Sequence, residues 1–383
     1  MLARAAGGIC ARGRLGATIV RFAMPRKPLV RFLFLVITLS AFAPGRLAAH
    51  PQYNSTYGPL PVFELHSGFW INLHHTLYHD ARQQKAAAPD KGGKTPGPTL
   101  KISPDAKPAL TTAEQRIWDD AVAYYGANYA NKDLLFSSDL SQLKDQLGDF
   151  EDCDELSGRK RKFCDAGLPA KLTQVLESAA PVYRAHLWPE HDRANRRWIA
   201  RVAPLVREQG VGLSERLADI YQTRWPRQKI RVDVTGYANW AGAYTTVDPL
   251  RVTISSLDQR NQGTEALEVL FHESSHSIAE PVQAAIIREC HQRDKAIPRD
   301  LWHALVFYTT GEVLRPVLSS SGPTGGDHEG GVPGGGYTPY ALREGLYQRG
   351  WNDYLKLLQR FWQPYLDGKA SFDDAIARMV SSL

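Results

Sequence analysis

Val269-Leu270-Phe271-His272-Glu273-Ser274-Ser275-His276-Ser277-Ile278 is the stretch on which the reading of this chain turns. It holds neither Pro nor Gly, and apolar residues bracket it, so it predicts a helix. On a helix, residues four apart lie about 40° apart around the axis. His272 and His276 then project from one face, one turn apart, and can hold a single Zn²⁺. Glu273 stands beside them, placed to take a proton from a water that the metal activates. Both inner positions are small and uncharged, which separates the stretch from a chance match of the same spacing.

A catalytic zinc takes three protein ligands and leaves one position open, so a third ligand must come from elsewhere. The almost wholly apolar run from Arg299 to Val317 predicts a helix with two candidates, His303 and Glu312. They are nine residues apart and point about 180° apart on a straight helix, so both cannot bind one ion. Glu312 is favoured, because a carboxylate next to Gly311 in an apolar helix is costly unless a cation pairs with it. A helix-end salt bridge to Arg315 is its plainer role; His303, if not the ligand, packs behind the site. Tyr308, one turn before Glu312, either packs or lines the site. Tyr337 and Tyr340 flank a Gly-rich loop, 318–339, and offer phenols for an oxyanion. Asp327-His328-Glu329 in that loop reads as solvated surface before it reads as a second metal site. His66, His74, His75 and His79 sit among aromatics with no acid in the pattern, and read as a packed face.

Upstream of the motif, Ile230–Val234, Gly242–Val247 and Arg251–Ser255 alternate like strands, the last two joined by Asp248-Pro249. Thr264 is the expected N-cap of the motif helix. Helical periodicity covers 112–130, 133–148, 168–186, 191–209 and 212–224, and helices return at 339–366 and 371–382. Residues 61–80 read as a helix or helix-flanked segment, and 86–108, rich in Pro, Gly, Lys and Ala, as a linker.

This pattern resembles the zincin metallopeptidases. The resemblance is close over the motif helix, where uncharged residues surround the histidines and an apolar residue, Ile278, follows two places after the second. It is looser over 229–317, where strands lead directly into the motif helix. It implies an α+β fold, with a small mixed sheet packed over the motif helix and large helical regions before and after. It implies His272 and His276 as zinc ligands and Glu273 as general base. Thr310-Gly311-Glu312 resembles the third-ligand helix of the gluzincins, which implies Glu312 as third ligand, although its spacing from His276 matches none of the best-known subfamilies. In the family, the last strand before the motif helix borders the cleft and pairs with extended substrate; here that strand falls within 242–256.

The leader points to export. Met24-Pro25-Arg26-Lys27 opens a basic segment, Phe32 to Ala43 is a twelve-residue apolar core, and Leu47-Ala48-Ala49 offers small residues before His50. That is a secretory signal, too short for a comfortable membrane span, with Met24 as the expected true start. Residues 1–49 hold eight Arg and Lys and no acid, so the chain's +6 becomes −2 for the 334 residues that remain. The basic balance belongs to the leader, and net charge makes no case for nucleic acid or an anionic membrane surface. After export, Cys153 and Cys164 are expected to pair across a charged loop, leaving Cys290 as a buried thiol.

The expected organisation is a leader 1–49, an N-terminal segment and linker 50–110, a helical region 111–228 and a catalytic region 229–383. The expected function is a periplasmic or secreted zinc metallopeptidase acting on a peptide or protein, with no nucleic-acid partner and no stable membrane span. The alternatives are a catalytically silent zincin-like envelope protein with a binding or structural role, and a zinc hydrolase of a non-peptide amide.

Overall fold

A four-stranded mixed sheet organises the chain around the motif. The computed structural model describes residues 60–87, 109–320 and 336–383; the leader, residues 88–108 and Asp327-His328-Glu329 lie outside the described residues. The described residues all fall within the unit spanning 54–383. Strands β1 (Phe63–His66), β2 (Ile230–Thr235), β3 (Ala243–Val247) and β4 (Leu250–Ser255) lie in the order β1-β2-β4-β3. β1, β2 and β4 run parallel, with Phe63 opposite Ile230 and Arg231 opposite Arg251. β3 returns antiparallel to β4, Ala243 opposite Ile254, and forms one edge.

The helices are α1 (Phe69–Ala87), α2 (Thr112–Asn128), α3 (Ser138–Asp149), α4 (Ala170–His186), α5 (Trp188–Ile220), α6 (Gly263–Ser275), α7 (Glu280–Gln292) and α8 (Leu301–Ser320). Short helices α9 (Tyr340–Arg343), α10 (Asn352–Leu357), α11 (Gln363–Leu366) and α12 (Phe372–Ser381) complete the chain. No helix among the described residues is long and apolar enough to cross a membrane. Cys153 and Cys164 form a disulfide, and Cys290 is a buried free thiol.

Alternation sorts the two faces of the sheet. Ile230, Val232, Val234, Ala243, Val252 and Ile254 join a core with α5, α6, α7, α8 and the C-terminal helices. The opposite face carries Arg231, Asp233, Tyr244, Thr246 and Arg251, and meets α1 and α3. There Lys144, fully buried, pairs with Asp145 and donates to Thr246, while Arg231 bridges Asp233 and Glu151. A second apolar core lies among α1, α2, α3 and α4, with Tyr244 at its border. Both faces of the sheet are therefore covered, not one, as the sequence alternation suggested.

Two local readings change. The predicted helices 191–209 and 212–224 are one helix, α5, which runs on through Pro204 and Gly210. Gly210 is a packing position: a Cβ there would stand 3.0 Å from Val62 Cγ2, so its absence lets the chain entering β1 lie against the helix. Thr264 is not the N-cap of α6. Gln262 holds that place, and its side chain donates to the carbonyls of Ser256 and Asp258. Asn261 just before it donates to the carbonyls of Gly242 and Ser255. The start of the motif helix is thus tied to the β3–β4 hairpin by side-chain amides.

Phe271 points from α6 into the core, fully buried, with its ring edge-on to Phe63 at 5.4 Å. Phe271→Ala is expected to cost about 3–5 kcal/mol by emptying this contact. Chemical denaturation followed by circular dichroism measures it; a loss under about 1 kcal/mol would show that α6 is not held through this ring.

Candidate metal centre

Helix α6 delivers His272 near its end, and His276 caps it. Ser274, Ser275 and Ser277 each donate their hydroxyl back to a helix carbonyl, at Leu270, Phe271 and Ser274. The backbone turns away after His276 and starts α7, with Pro281 in its first turn. Helix α8 packs against α6 and brings in His303 from its own first turn.

The three imidazoles converge. His272 Nε2 lies 3.3 Å from His276 Nε2 and 3.3 Å from His303 Nε2. One nitrogen from each ring falls within 4.8 Å of the other two, the only such group of three metal-ligating side chains among the described residues. Two nitrogens bound tetrahedrally at about 2.0–2.1 Å from one ion stand about 3.3–3.4 Å apart, so the spacing fits a shared ion. Burial keeps the rings neutral. It pulls His276 down to about 3 and His303 to about 4, and His272 well below its ordinary value, where the charges of His276 and His303 add to the effect. Neutral imidazole is the form that ligates. His272 is buried, while His276 and His303 are partly exposed, so the cluster can be reached from solvent on their side.

The third member is His303 and not Glu312. Glu312 pairs with Arg315 one turn further along α8, and it is not part of the cluster. The opposed-face argument holds, but the burial argument chose the wrong face: Arg315 already supplies the cation that Glu312 needs. Gly311 serves a different contact. A Cβ there would meet Pro339 Cβ at 2.6 Å and Glu268 Oε1 at 3.2 Å, so glycine is what allows the chain after the Gly-rich loop to lie on α8.

Glu273 has a partner that the sequence did not reveal. Thr245 Oγ1, from edge strand β3, lies 2.7 Å from Glu273 Oε2 and 2.9 Å from Glu273 O. With one proton to give, the hydroxyl favours the carboxylate, where the bond is charge-assisted. Burial raises the Glu273 carboxyl to about 7, and the Thr245 hydrogen bond opposes that rise. Strand alternation was the available signal: Thr245 shares a face with Ala243, towards α6.

Aromatic rings frame the cluster. Phe307 stacks on His272 with centroids 3.5 Å apart, Trp302 stands edge-on to His276 and Trp351 edge-on to His303. Tyr340 stacks on the outer side, 6.0 Å from Phe307 and nearly parallel to it. Of the two phenols considered as oxyanion donors, that of Tyr337 is otherwise engaged. Tyr337 donates to Glu268 at 2.6 Å, and the buried Tyr340 gives its backbone N–H to the same carboxylate. Tyr308 donates to Gln363. The His-rich segment of α1 is packed, as expected: His74 and His75 meet the hydroxyls of Tyr125 and Tyr244, and His79 lies 4.2 Å from the Tyr237 ring.

No protein-family model matches the chain, nor does any curated protein or any solved structure.

Glu268, one turn before His272, is 1% exposed, and burial lifts its carboxyl from 4.5 to about 7. Between those values the folded chain keeps a proton that the unfolded chain has released, so this group's contribution falls as pH rises from about 4.5 to about 7 and is level above. Glu268→Gln still accepts from Tyr340 N–H and carries no charge. It is expected to melt later than wild type near pH 8, by on the order of 2 kcal/mol, and alike near pH 4. Thermal melts across that range test the sign; equal melts at both ends would remove the charge cost from Glu268.

Proposed function

We propose that the chain is an exported zinc-dependent hydrolase that cleaves peptide bonds. The observation that carries this reading is the convergence of His272, His276 and His303 beside Glu273. The donor set suits the ion: three neutral imidazoles and an approach left open at His276 and His303. When bound, zinc supplies Lewis acidity, polarising a carbonyl and acidifying water.

The chain's own residues supply the rest. Glu273 takes the proton of the attacking water and returns it to the leaving amine, a role that a carboxyl raised to about 7 can fill in both directions. Thr245 holds one oxygen of the carboxylate and leaves the other to take the proton. Phe307 and Trp302 exclude water from the flanks of the imidazoles. β3 hydrogen-bonds β4 on one side only, which leaves an edge where an extended peptide can add as a further strand next to Glu273. The disulfide and the leader are consistent with export.

About one zinc per chain is expected in protein purified without chelator. His272→Ala, His276→Ala and His303→Ala should each lose it, and Glu312→Ala should keep it. Elemental analysis decides, and full zinc in His303→Ala sinks the site. Glu273→Gln should keep zinc and lose hydrolysis of casein or a peptide library by several orders of magnitude. Zinc-loaded wild type that cleaves peptidoglycan fragments but no peptide would move the substrate to another amide, and one that cleaves neither would leave a binding role.

Thr245→Val removes the hydroxyl at nearly constant shape. It is expected to lower kcat roughly 10–100-fold with KM and zinc content unchanged, and Thr245→Ser should restore most of the rate. A variant equal to wild type would show that Glu273 needs no such hold.

A further inference from the structure

The disulfide-closed loop directs two carboxylates to its own backbone and leaves three cations without an ion pair among the described residues. Between Cys153 and Cys164 two acids, Asp154 and Glu155, stand against four bases, Arg159, Lys160, Arg161 and Lys162, and Asp152 and Asp165 flank the disulfide. In the fold, the acids and bases play different parts. Glu155 turns inward and accepts the backbone N–H groups of Lys160 and Arg161. Glu177, from α4, accepts those of Leu156 and Ser157, and pairs with Arg159. Asp165 accepts from Gly167 N–H. Asp152 and Asp154 stay exposed on the entering limb, before the turn. Lys160, Arg161 and Lys162 are exposed and form no ion pair among the described residues. Next to them Phe163 is 74% exposed and makes no ring contact.

This tip is held rigidly. Ala166 N–H donates to Leu156 O, Ser157 bridges Asp165, and the disulfide closes the base. Gly158 makes the turn at φ +66°, where a Cβ would lie 2.8 Å from Asp165 Cβ. An exposed phenylalanine beside three unpaired cations, on a backbone that cannot fold them away, needs a partner that is anionic and apolar at once. We infer that residues 160–163 dock the protein on an anionic lipid bilayer, the cations at the headgroup phosphates and the Phe163 ring at the acyl boundary. A single-stranded nucleic acid would want several rings along a groove to stack successive bases, and the tip has one.

The test is vesicle co-sedimentation with the chain beginning at His50, which removes the apolar leader and keeps the whole 54–383 unit. Binding is expected to vesicles containing phosphatidylglycerol at low salt, with little to pure phosphatidylcholine and release at high salt. Replacing Lys160, Arg161 and Lys162 together by Ser should lower partitioning roughly 100-fold, since each cation is worth about fivefold at an anionic surface. Phe163→Ser, with the charges intact, should lower it roughly tenfold. Both variants should keep the wild-type melting temperature and zinc content, because the replaced side chains have no partner inside the protein. Three results would each overturn the inference: unchanged binding in both variants, equal binding to neutral vesicles, or a single-stranded oligonucleotide displacing the protein from anionic ones.

Discussion

The site depends on one packing contact, the seating of α8 on α6. Three imidazoles cannot be gathered by one helix, because the one-turn spacing supplies only His272 and His276. His303 arrives because Leu301, Ala304 and Leu305 are buried in the same core as Leu267, Leu270 and Phe271. Bringing three ring nitrogens together in a dry pocket is unfavourable in itself. Burial depresses the proton affinities of all three rings, and repulsion from neighbouring imidazoles adds to it at His272 and His276. Apolar burial along both helices offsets that cost, at roughly 25 cal/mol per Å² of surface removed from water. The imidazoles are thus held together by the packing of the two helices.

Strand β3 couples the two halves of the chain through its alternation. Tyr244 and Thr246 face the buried polar layer, where they meet His75 and Lys144. Thr245, between them, faces α6 and holds Glu273. A register slip of one residue would exchange these sets and lose both. The pairing of β3 with β4 over five positions, from Ala243 to Val247, guards against that slip. So does Asn261, whose side-chain amide donates to the carbonyls of Gly242 and Ser255. The polar layer beneath the sheet, far from being surface, is therefore part of what places the carboxylate.

Much of this was legible in the sequence, and the failures share a cause. The motif helix, the β3–β4 hairpin, the apolar α8 and the disulfide follow from local pattern, and each is present. Strand β1 escaped notice because four residues give too little alternation to stand out from the aromatics of α1. The predicted break at Gly210 does not interrupt α5, because a long helix packed along most of its length tolerates the glycine. The third member of the histidine cluster was a non-local question. Helix geometry correctly opposed His303 to Glu312, and only the packing of α8 on α6 could say which face turned inward. The buried carboxylate that the argument sought does exist. It is Glu268, and its partners come from Tyr337 and Tyr340, some seventy residues away in sequence.

Charge shows the same limit from another side. A net charge of −2 for residues 50–383 argued against any anionic surface as partner. Net charge counts groups without regard to where their acceptors lie. In the disulfide loop, Glu155 and Glu177 satisfy four backbone N–H groups of a tight turn, so their charge is directed into the protein. Arg159 pairs with Glu177, but Lys160, Arg161 and Lys162 have no comparable acceptor among the described residues and stay exposed. A carboxylate is short and caps backbone well, whereas an ammonium on four methylenes does not. A turn whose carboxylates cap its own backbone can therefore present a cationic tip. The asymmetry belongs to side-chain length and hydrogen-bond type, and no tally of charges contains it.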